Sequence, residues 1–308
     1  MTIENCIINV SGKCQLFCPF CRAGEFKNKY LVRDGFISEK TICNIMKKIP
    51  FTRCNYFNWG EPFLHPKLIN LIKIGKQNDK IIEIHSNMQN LGAMSVEDIV
   101  KSGLDILCVS CDGTTQEVYE KYRVGGFLDK LIFNASQIAK IKGELGYKTP
   151  KIYWRMIVNR FNEHQVEEFE QFAKNYGADE AVFSGMYAFT PEGRKRINTY
   201  KAKDKKWDMV ENIGNLGYCE RVFDRIAIDW NGDVYTCCEA NGLEQFKMGN
   251  INEQTFDEIY NGEKYKYARR FCSNSIPEDN GFDILCHSCF NKFPNDVAKQ
   301  CSVWSEFL

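Results

Sequence analysis

The chain lacks net charge: 40 Lys and Arg stand against 40 Asp and Glu. A global basic footprint for nucleic acid is thereby excluded, although a local patch is not. It also lacks any run of 18 apolar residues, so no membrane-spanning helix is expected. The opening residues MTIENCIINV carry no basic n-region and no cleavage site, so the expected location is cytoplasmic. Cysteine is absent between Cys111 and Cys219. Elsewhere it is abundant, with 15 cysteines in 308 residues. That is about 5 %, below the roughly 8–10 % of a disulfide scaffold. The count is odd, and a reducing cytosol disfavours disulfides. The thiols are therefore expected to be buried, catalytic or metal-bound.

Cys6, Cys43, Cys54, Cys108 and Cys111 read as small buried hydrophobes in apolar stretches. The others gather in two clusters, one towards each end. Across the first two thirds, strand-like stretches at 6–10, 56–59, 81–85, 106–110, 152–158 and 181–184 alternate with helical periodicity at 38–49, 95–103, 127–145 and 162–176. Capping-box spacings occur at Ser95/Asp98 and Thr114/Glu117. Such alternation predicts a parallel α/β sheet or a partial (β/α)6 TIM-like barrel, with chemistry at the carboxyl ends of its strands.

The pattern breaks near residue 190. Residues 193–207 hold seven Lys or Arg against one Asp, which reads as a solvated linker or a patch for an anionic partner. Strands at 223–228 and 234–236 then flank an Asn231-Gly232 hairpin turn, and 255–270 reads as a helix. The expected organisation is a core over 1–190, a basic linker over 191–215 and a hairpin-plus-helix domain over 216–308.

The first cluster, Cys14-Gln-Leu-Phe-Cys18-Pro-Phe-Cys21, directly follows the first strand. Zinc sites and ferredoxins want four local ligands, and here the fourth is missing. Nothing marks the nearest histidines, His65 and His85, as ligands. Three thiolates on a four-iron cluster would leave one iron open. This C-x3-C-x2-C motif resembles that of the radical S-adenosylmethionine (SAM) superfamily, and further matches follow in order. Phe20 matches the aromatic near the adenine. Gly60-Glu61-Pro62 resembles the motif that takes the methionine amino group. Asn87 closes the third strand. Ser110 and Asp112 lie in Val-Ser-Cys-Asp-Gly, similar to the family's V-S-x-D-G. Arg123, with Arg155 as rival, is a candidate for the SAM carboxylate. The likeness spans roughly residues 3–190. It implies a [4Fe-4S] cluster on Cys14, Cys18 and Cys21, bound SAM, a 5′-deoxyadenosyl radical, and a flavodoxin- or ferredoxin-type reductant. A zinc knuckle is the alternative.

In the second cluster, Cys219, Gly232 and Cys237 precede Cys286-His-Ser-Cys289. This resembles the SPASM and twitch extensions of the same superfamily, which carry auxiliary [4Fe-4S] clusters. The implied ligands are Cys219, Cys237, Cys286 and Cys289, with Cys272 and Cys301 spare. The full SPASM pattern would place two more cysteines soon after Cys289. Their absence argues for a single auxiliary cluster, two clusters in all. A zinc ribbon is the alternative. The stretch from Asn231 to Cys289 resembles twitch dehydrogenases of the 2-deoxy-scyllo-inosamine dehydrogenase type.

Cys238 departs from that pattern. If a strand continues through Cys237-Cys238, the two thiols point to opposite faces, one to iron and one to the barrel mouth. A free thiol there could donate a hydrogen atom, as in radical SAM epimerases. The leading expectation is therefore epimerisation of a polar carbohydrate, aminocyclitol or peptide with Cys238 as donor. Two-electron dehydrogenation of an alcohol, with the auxiliary cluster as acceptor, competes, as does a non-enzymatic iron–sulfur electron carrier. No nucleic-acid or membrane partner is expected.

Overall fold

Six strands lie side by side in chain order, all parallel: β1 Ile3–Ile8, β2 Phe51–Tyr56, β3 Ile81–Ser86, β4 Ile106–Ser110, β5 Lys151–Val158 and β6 Glu180–Gly185. The structure, a computed structural model, describes residues 3–21, 23, 35–186, 196–207, 219–273 and 281–286. Helices α1 Glu39–Lys48, α2 Leu68–Gln77, α3 Val96–Lys101, α4 Gln116–Tyr122, α5 Leu128–Glu144 and α6 Val166–Asn175 connect them. This is the expected partial (β/α)6 arrangement. The sheet continues past β1 into β7 Arg225–Ile228, β8 Asp233–Tyr235 and β9 Gly249–Asn250, giving the order β6-β5-β4-β3-β2-β1-β7-β8-β9. β7 pairs parallel with β1, and a buried hydrogen bond from Asn9 Nδ2 to Asp229 Oδ1 (2.9 Å) ties their upper ends. Three further helices, α7 Arg221–Asp224, α8 Phe256–Tyr260 and α9 Glu263–Cys272, complete the described chain.

Alternation along the strands gives the sheet two unlike faces. Ile82, Ile84, Leu107, Val109 and Trp154 pack with the helices in the main core. Tyr56 confirms that orientation, because its hydroxyl donates to the Leu71 carbonyl of α2 at 2.9 Å. The opposite, inner face carries Asn5, Arg53, Asn55, Glu83, His85, Tyr153 and Arg155, brought into register across β1 to β5.

Several expected boundaries shift for identifiable reasons. β2 begins at Phe51 rather than 56, because Arg53 and Asn55 interrupt the apolar run yet face inward. β1 likewise runs Ile3–Ile8 rather than 6–10. The strand expected at 223–228 starts at Arg225, where pairing with Asn5 begins, and residues 221–224 turn into α7 instead. The helix at 255–270 is broken into α8 and α9, with Gly262 extended between them. Thr115, not Thr114, caps α4, and Thr114 instead donates to Glu168 at 2.5 Å. The strand does not continue through Cys238: β8 ends at Tyr235, and the Cys237 and Cys238 carbonyls accept turn hydrogen bonds from Ala240 and Asn241. Strand alternation therefore does not separate these two thiols. Residues 196–207 of the basic stretch dock on the core, with Lys201 bridged to Asn159.

Trp154 is fully buried and stacks on Tyr176 at 6.3 Å. Trp154→Ala is expected to destabilise the chain by about 3–5 kcal/mol, read as a lower midpoint in chemical denaturation.

Candidate active site

The loop after β1 carries Cys14, Cys18 and Cys21, and each thiol meets a different segment of the core. Cys14 Sγ accepts from Asn87 Nδ2, just past β3, at 3.6 Å. Cys21 Sγ lies 3.7 Å from the Trp59 carbonyl, past β2. Cys18 Sγ is 3.9 Å from Nη1 of Arg123, the residue that ends α4 after β4. Leu16 and Cys18 pack against Tyr122, Met186 and Ile197, with Phe20 beside them. Phe20 stacks on Tyr122 at 6.5 Å and meets Tyr200 edge-on at 5.1 Å, while the Arg196 guanidinium lies 5.2 Å over its ring. The loop is thus a warm apolar nest around three thiols. Burial, reinforced by Glu61, pushes the Cys14 thiol up to about 12. Burial also raises Cys18, with Arg123 opposing.

Gly60 permits the close approach of two turns. A Cβ there would stand 1.6 Å from the Ser11 carbonyl oxygen. Glu61, next in the chain, is buried and fully engaged: Oε1 accepts from Ser86 Oγ (2.8 Å) and the Phe63 amide (3.1 Å), and Oε2 from the Asn87 amide (2.8 Å). Burial still raises its carboxyl to about 7. Pro62 opens the short 3-10 turn Pro62–Leu64 that follows.

Ser110 ends β4, and Asp112 lies fully buried just beyond. Asp112 accepts from the Ile157 amide at 2.6 Å and from Arg123 Nε at 2.5 Å. That bond aims the guanidinium at Cys18, and its buried Nη2 has no hydrogen-bond partner. Arg155 is placed elsewhere, on the inner face of β5 beside His85 and Cys108. The two arginines are therefore not interchangeable. Gln15, unmarked by sequence, donates to Asn87 Oδ1 at 2.9 Å and leaves a buried Oε1 without a partner.

The inner face also holds a group that sequence reasoning missed. His85 Nε2 is 2.5 Å from Glu83 Oε1, and Arg53 Nη1 donates to Glu83 Oε2 at 3.3 Å. The His85 ring stacks on Phe57 at 4.2 Å. Burial lowers the His85 pKa below its ordinary 6.5 despite Glu83, so the imidazole is neutral near pH 7. The signal was available as two polar residues alternating with isoleucine in a buried strand. His65, by contrast, is structural, bonded through Nε2 to the Ile37 carbonyl and through Nδ1 to the Lys67 amide.

In the C-terminal part, Cys219, Cys272 and Cys286 converge, with the Cys219 amide donating to the Cys272 carbonyl at 3.2 Å. Contact with the Cys272 thiol, helped by Arg221, brings the Cys219 thiol down to about 7 despite burial. Cys237 and Cys238 both pack against the buried cluster that includes Ile7, Ala227 and Tyr235, as does Phe57. Asn58 Nδ2 donates to the Cys238 carbonyl (3.2 Å) and Trp59 Nε1 to that of Asn241 (3.2 Å). Cys289 and Cys301 lie outside the described residues. Among the described residues, no three His, Cys, Asp or Glu side chains close around a single metal ion.

Residues 8–173 match the Radical SAM superfamily and residues 219–290 the SPASM iron-sulfur cluster-binding domain. The chain belongs to the radical SAM superfamily. It is 22 % identical to the tungsten-containing aldehyde ferredoxin oxidoreductase cofactor-modifying protein of Pyrococcus furiosus, over 87 % of this chain and 84 % of that one. It is 23 % identical to the cysteine-type anaerobic sulfatase-maturating enzyme of Clostridium novyi, over 92 % and 84 %. The fold matches Streptococcus suis SuiB bound to its precursor peptide SuiA with a TM-score of 0.65 at 17 % identity, covering 87 % and 67 % of the two chains.

As a radical SAM protein with a SPASM domain, it uses SAM, a [4Fe-4S] cluster and auxiliary clustering of the same kind. Its residues fit these groups. The first loop offers three soft thiol donors without a fourth, beside the unpartnered Arg123 Nη2 that suits a carboxylate. In the second region, Tyr265 presents a buried hydroxyl without a partner close to Cys237 and Cys286. No described helix is long and apolar enough to cross a membrane.

Gly60→Ala is expected to force apart the turns at Ser11 and Gly60. The cost is about 1–3 kcal/mol or somewhat more, read by denaturant midpoint, with SAM affinity falling in parallel in a binding titration.

Proposed function

We propose that the chain inverts a carbon centre of a polar substrate, a carbohydrate, an aminocyclitol or a peptide, with Cys238 as hydrogen-atom donor. In this reading Cys14, Cys18 and Cys21 hold the catalytic cluster. Gly60, Glu61, Pro62 and Asn87 form the wall for the methionine amino group, and Phe20 the wall for the adenine. Ser110 and Asp112 set Arg123 against the carboxylate, while Arg155 is left to the inner face. Cys219, Cys237, Cys286 and Cys289 serve the auxiliary cluster. When bound, these groups supply hydrogen-atom abstraction from an unactivated C–H and one-electron transfer.

The placement of Cys238 carries the reading. Its turn folds onto the inner-face residues Ile7 and Ala227, and Asn58 fastens it to the β2 end that also bears Gly60 and Glu61. Burial, with Glu239 adding and Arg221 and Arg225 opposing, pushes the thiol up to about 12, so the S–H needed for donation persists at neutral pH. In the step itself the Cys238 S–H bond breaks homolytically, its hydrogen atom forms the new C–H bond on the opposite face of the substrate, and the thiyl radical left behind takes one electron from the external reductant and one proton to restore the S–H. Glu239, whose Oε1 lies 3.7 Å from the sulfur, is placed to return a proton.

The test is reaction with aminocyclitols and with precursor-type peptides in heavy water, using SAM and dithionite. The expected product keeps the mass of the substrate apart from a single added deuterium. Cys238→Ala should still form 5′-deoxyadenosine but drop inversion to background, and inversion by that variant would sink the reading.

A second reading, oxidation of an alcohol, is favoured by Glu83 and His85. A neutral imidazole held by a carboxylate on the inner face is equipped to take the proton at Nδ1, which carries no hydrogen bond to the described residues. It predicts a product two hydrogens lighter and a loss of about 10²–10⁴-fold in His85→Gln. Because burial holds the His85 pKa below 6.5, the rate should fall only as the pH drops through that lower value. An unchanged rate in His85→Gln would exclude this role.

A further inference from the structure

Three thiols meet in the C-terminal region from three separate segments. Cys219 precedes α7, Cys272 ends α9, and Cys286 lies in the short described stretch beyond it. The Cys219 amide holds the Cys272 carbonyl at 3.2 Å, and the Cys219 and Cys286 thiols are both close enough to bear on the ionisation of the Cys272 thiol. Cys272 is completely buried, and its two neighbours are 9 % exposed.

An independent observation lies on the same helix. Tyr265 precedes Cys272 by two turns of α9 and so shares its face. Its side chain is 1 % exposed and its hydroxyl has no hydrogen-bond partner. Cys237 and Cys286 are among the groups that bear on that hydroxyl's ionisation, after burial and Tyr260. An apolar core would fill this space with aliphatic side chains and would not strand a phenol there. A polarisable group with sulfur acceptors would satisfy both observations.

We propose that Cys272, which the sequence pattern leaves as a spare, is a ligand of the auxiliary iron–sulfur cluster together with Cys219 and Cys286. The proposal rests on the SPASM assignment and not on whether the enzyme inverts or oxidises. Counting Cys237 and Cys289, five thiols then compete for four iron positions, so one of those two stands outside the cluster.

The experiment uses the full chain carrying Cys14→Ala, Cys18→Ala and Cys21→Ala, in which all remaining iron reports on the auxiliary site. After anaerobic reconstitution roughly four irons per chain are expected. Adding Cys272→Ala should remove most of that iron or leave a three-iron signal in electron paramagnetic resonance. Cys272→Ser should retain iron with a changed spectrum in the reduced state. Cys43→Ala serves as the control for loss of an ordinary thiol and should change nothing. Full iron with an unchanged spectrum in Cys272→Ala overturns the proposal. If that chain precipitates, an unchanged spectrum in Cys272→Ser overturns it equally. Alanine at Cys237 and at Cys289 then identifies the thiol left out.

Discussion

Residues 57–61, leaving the carboxyl end of β2, carry the contacts on which both halves of the molecule depend. Phe57 stacks on His85, and Asn58 and Trp59 grip the turn that bears Cys237 and Cys238. The Trp59 carbonyl meets Cys21, and Gly60 lies against the Ser11 backbone. The Glu61 amide donates to the Lys13 carbonyl at 2.7 Å, while its carboxylate accepts from the β3 end. A buried carboxylate is costly unless its lone pairs are filled, and here three donors fill them. The same bonds therefore pay for its burial and lock the thiol loop to the third strand.

The two-faced sheet gives this anchor its meaning. Helices cover one side, so strand residues facing them are aliphatic and aromatic. The inner side keeps Arg53, Glu83, His85 and Arg155 in mutual reach. His85 lies on β3 two residues before Asn87, which follows the strand and touches Cys14. The polar inner group thus lies one side-chain layer below the thiol loop along a single strand. The β7–β8 hairpin extends this same face rather than starting another, because β7 pairs parallel with β1. Cys238 consequently reaches the inner face without any long connection.

Much of this was legible from sequence because it is local. Cys14, Cys18 and Cys21 share one loop, Gly60-Glu61-Pro62 one turn, and the six-strand order follows from alternation. What stayed hidden depends on register or on where a helix ends. Glu83 and His85 sit in an apolar strand, and only the pairing of β2, β3 and β4 shows that they face Arg53 and Cys108. Cys272 carries no motif. Its position follows from the break at Gly262, which sets the direction of α9 and brings its last residue to Cys219. Arg123 and Arg155 were indistinguishable as rivals until Asp112 was seen to hold one and not the other.

Ionisation sorts the thiols further. Burial alone raises a thiol pKa, because the thiolate loses its hydration. Cys6, Cys54 and Cys111 show that effect, and each remains a neutral apolar filler. At Cys238 burial and Glu239 raise the thiol against the opposing pull of Arg221 and Arg225. At Cys18 the Arg123 guanidinium opposes burial, and at Cys219 contact with the Cys272 thiol outweighs it, with Arg221 helping. A thiolate ligating iron must be deprotonated, so a nearby guanidinium favours ligation and a nearby carboxylate favours the S–H bond. At Cys238 the Glu239 carboxylate adds to burial in favouring the S–H form, as Glu61 does at Cys14.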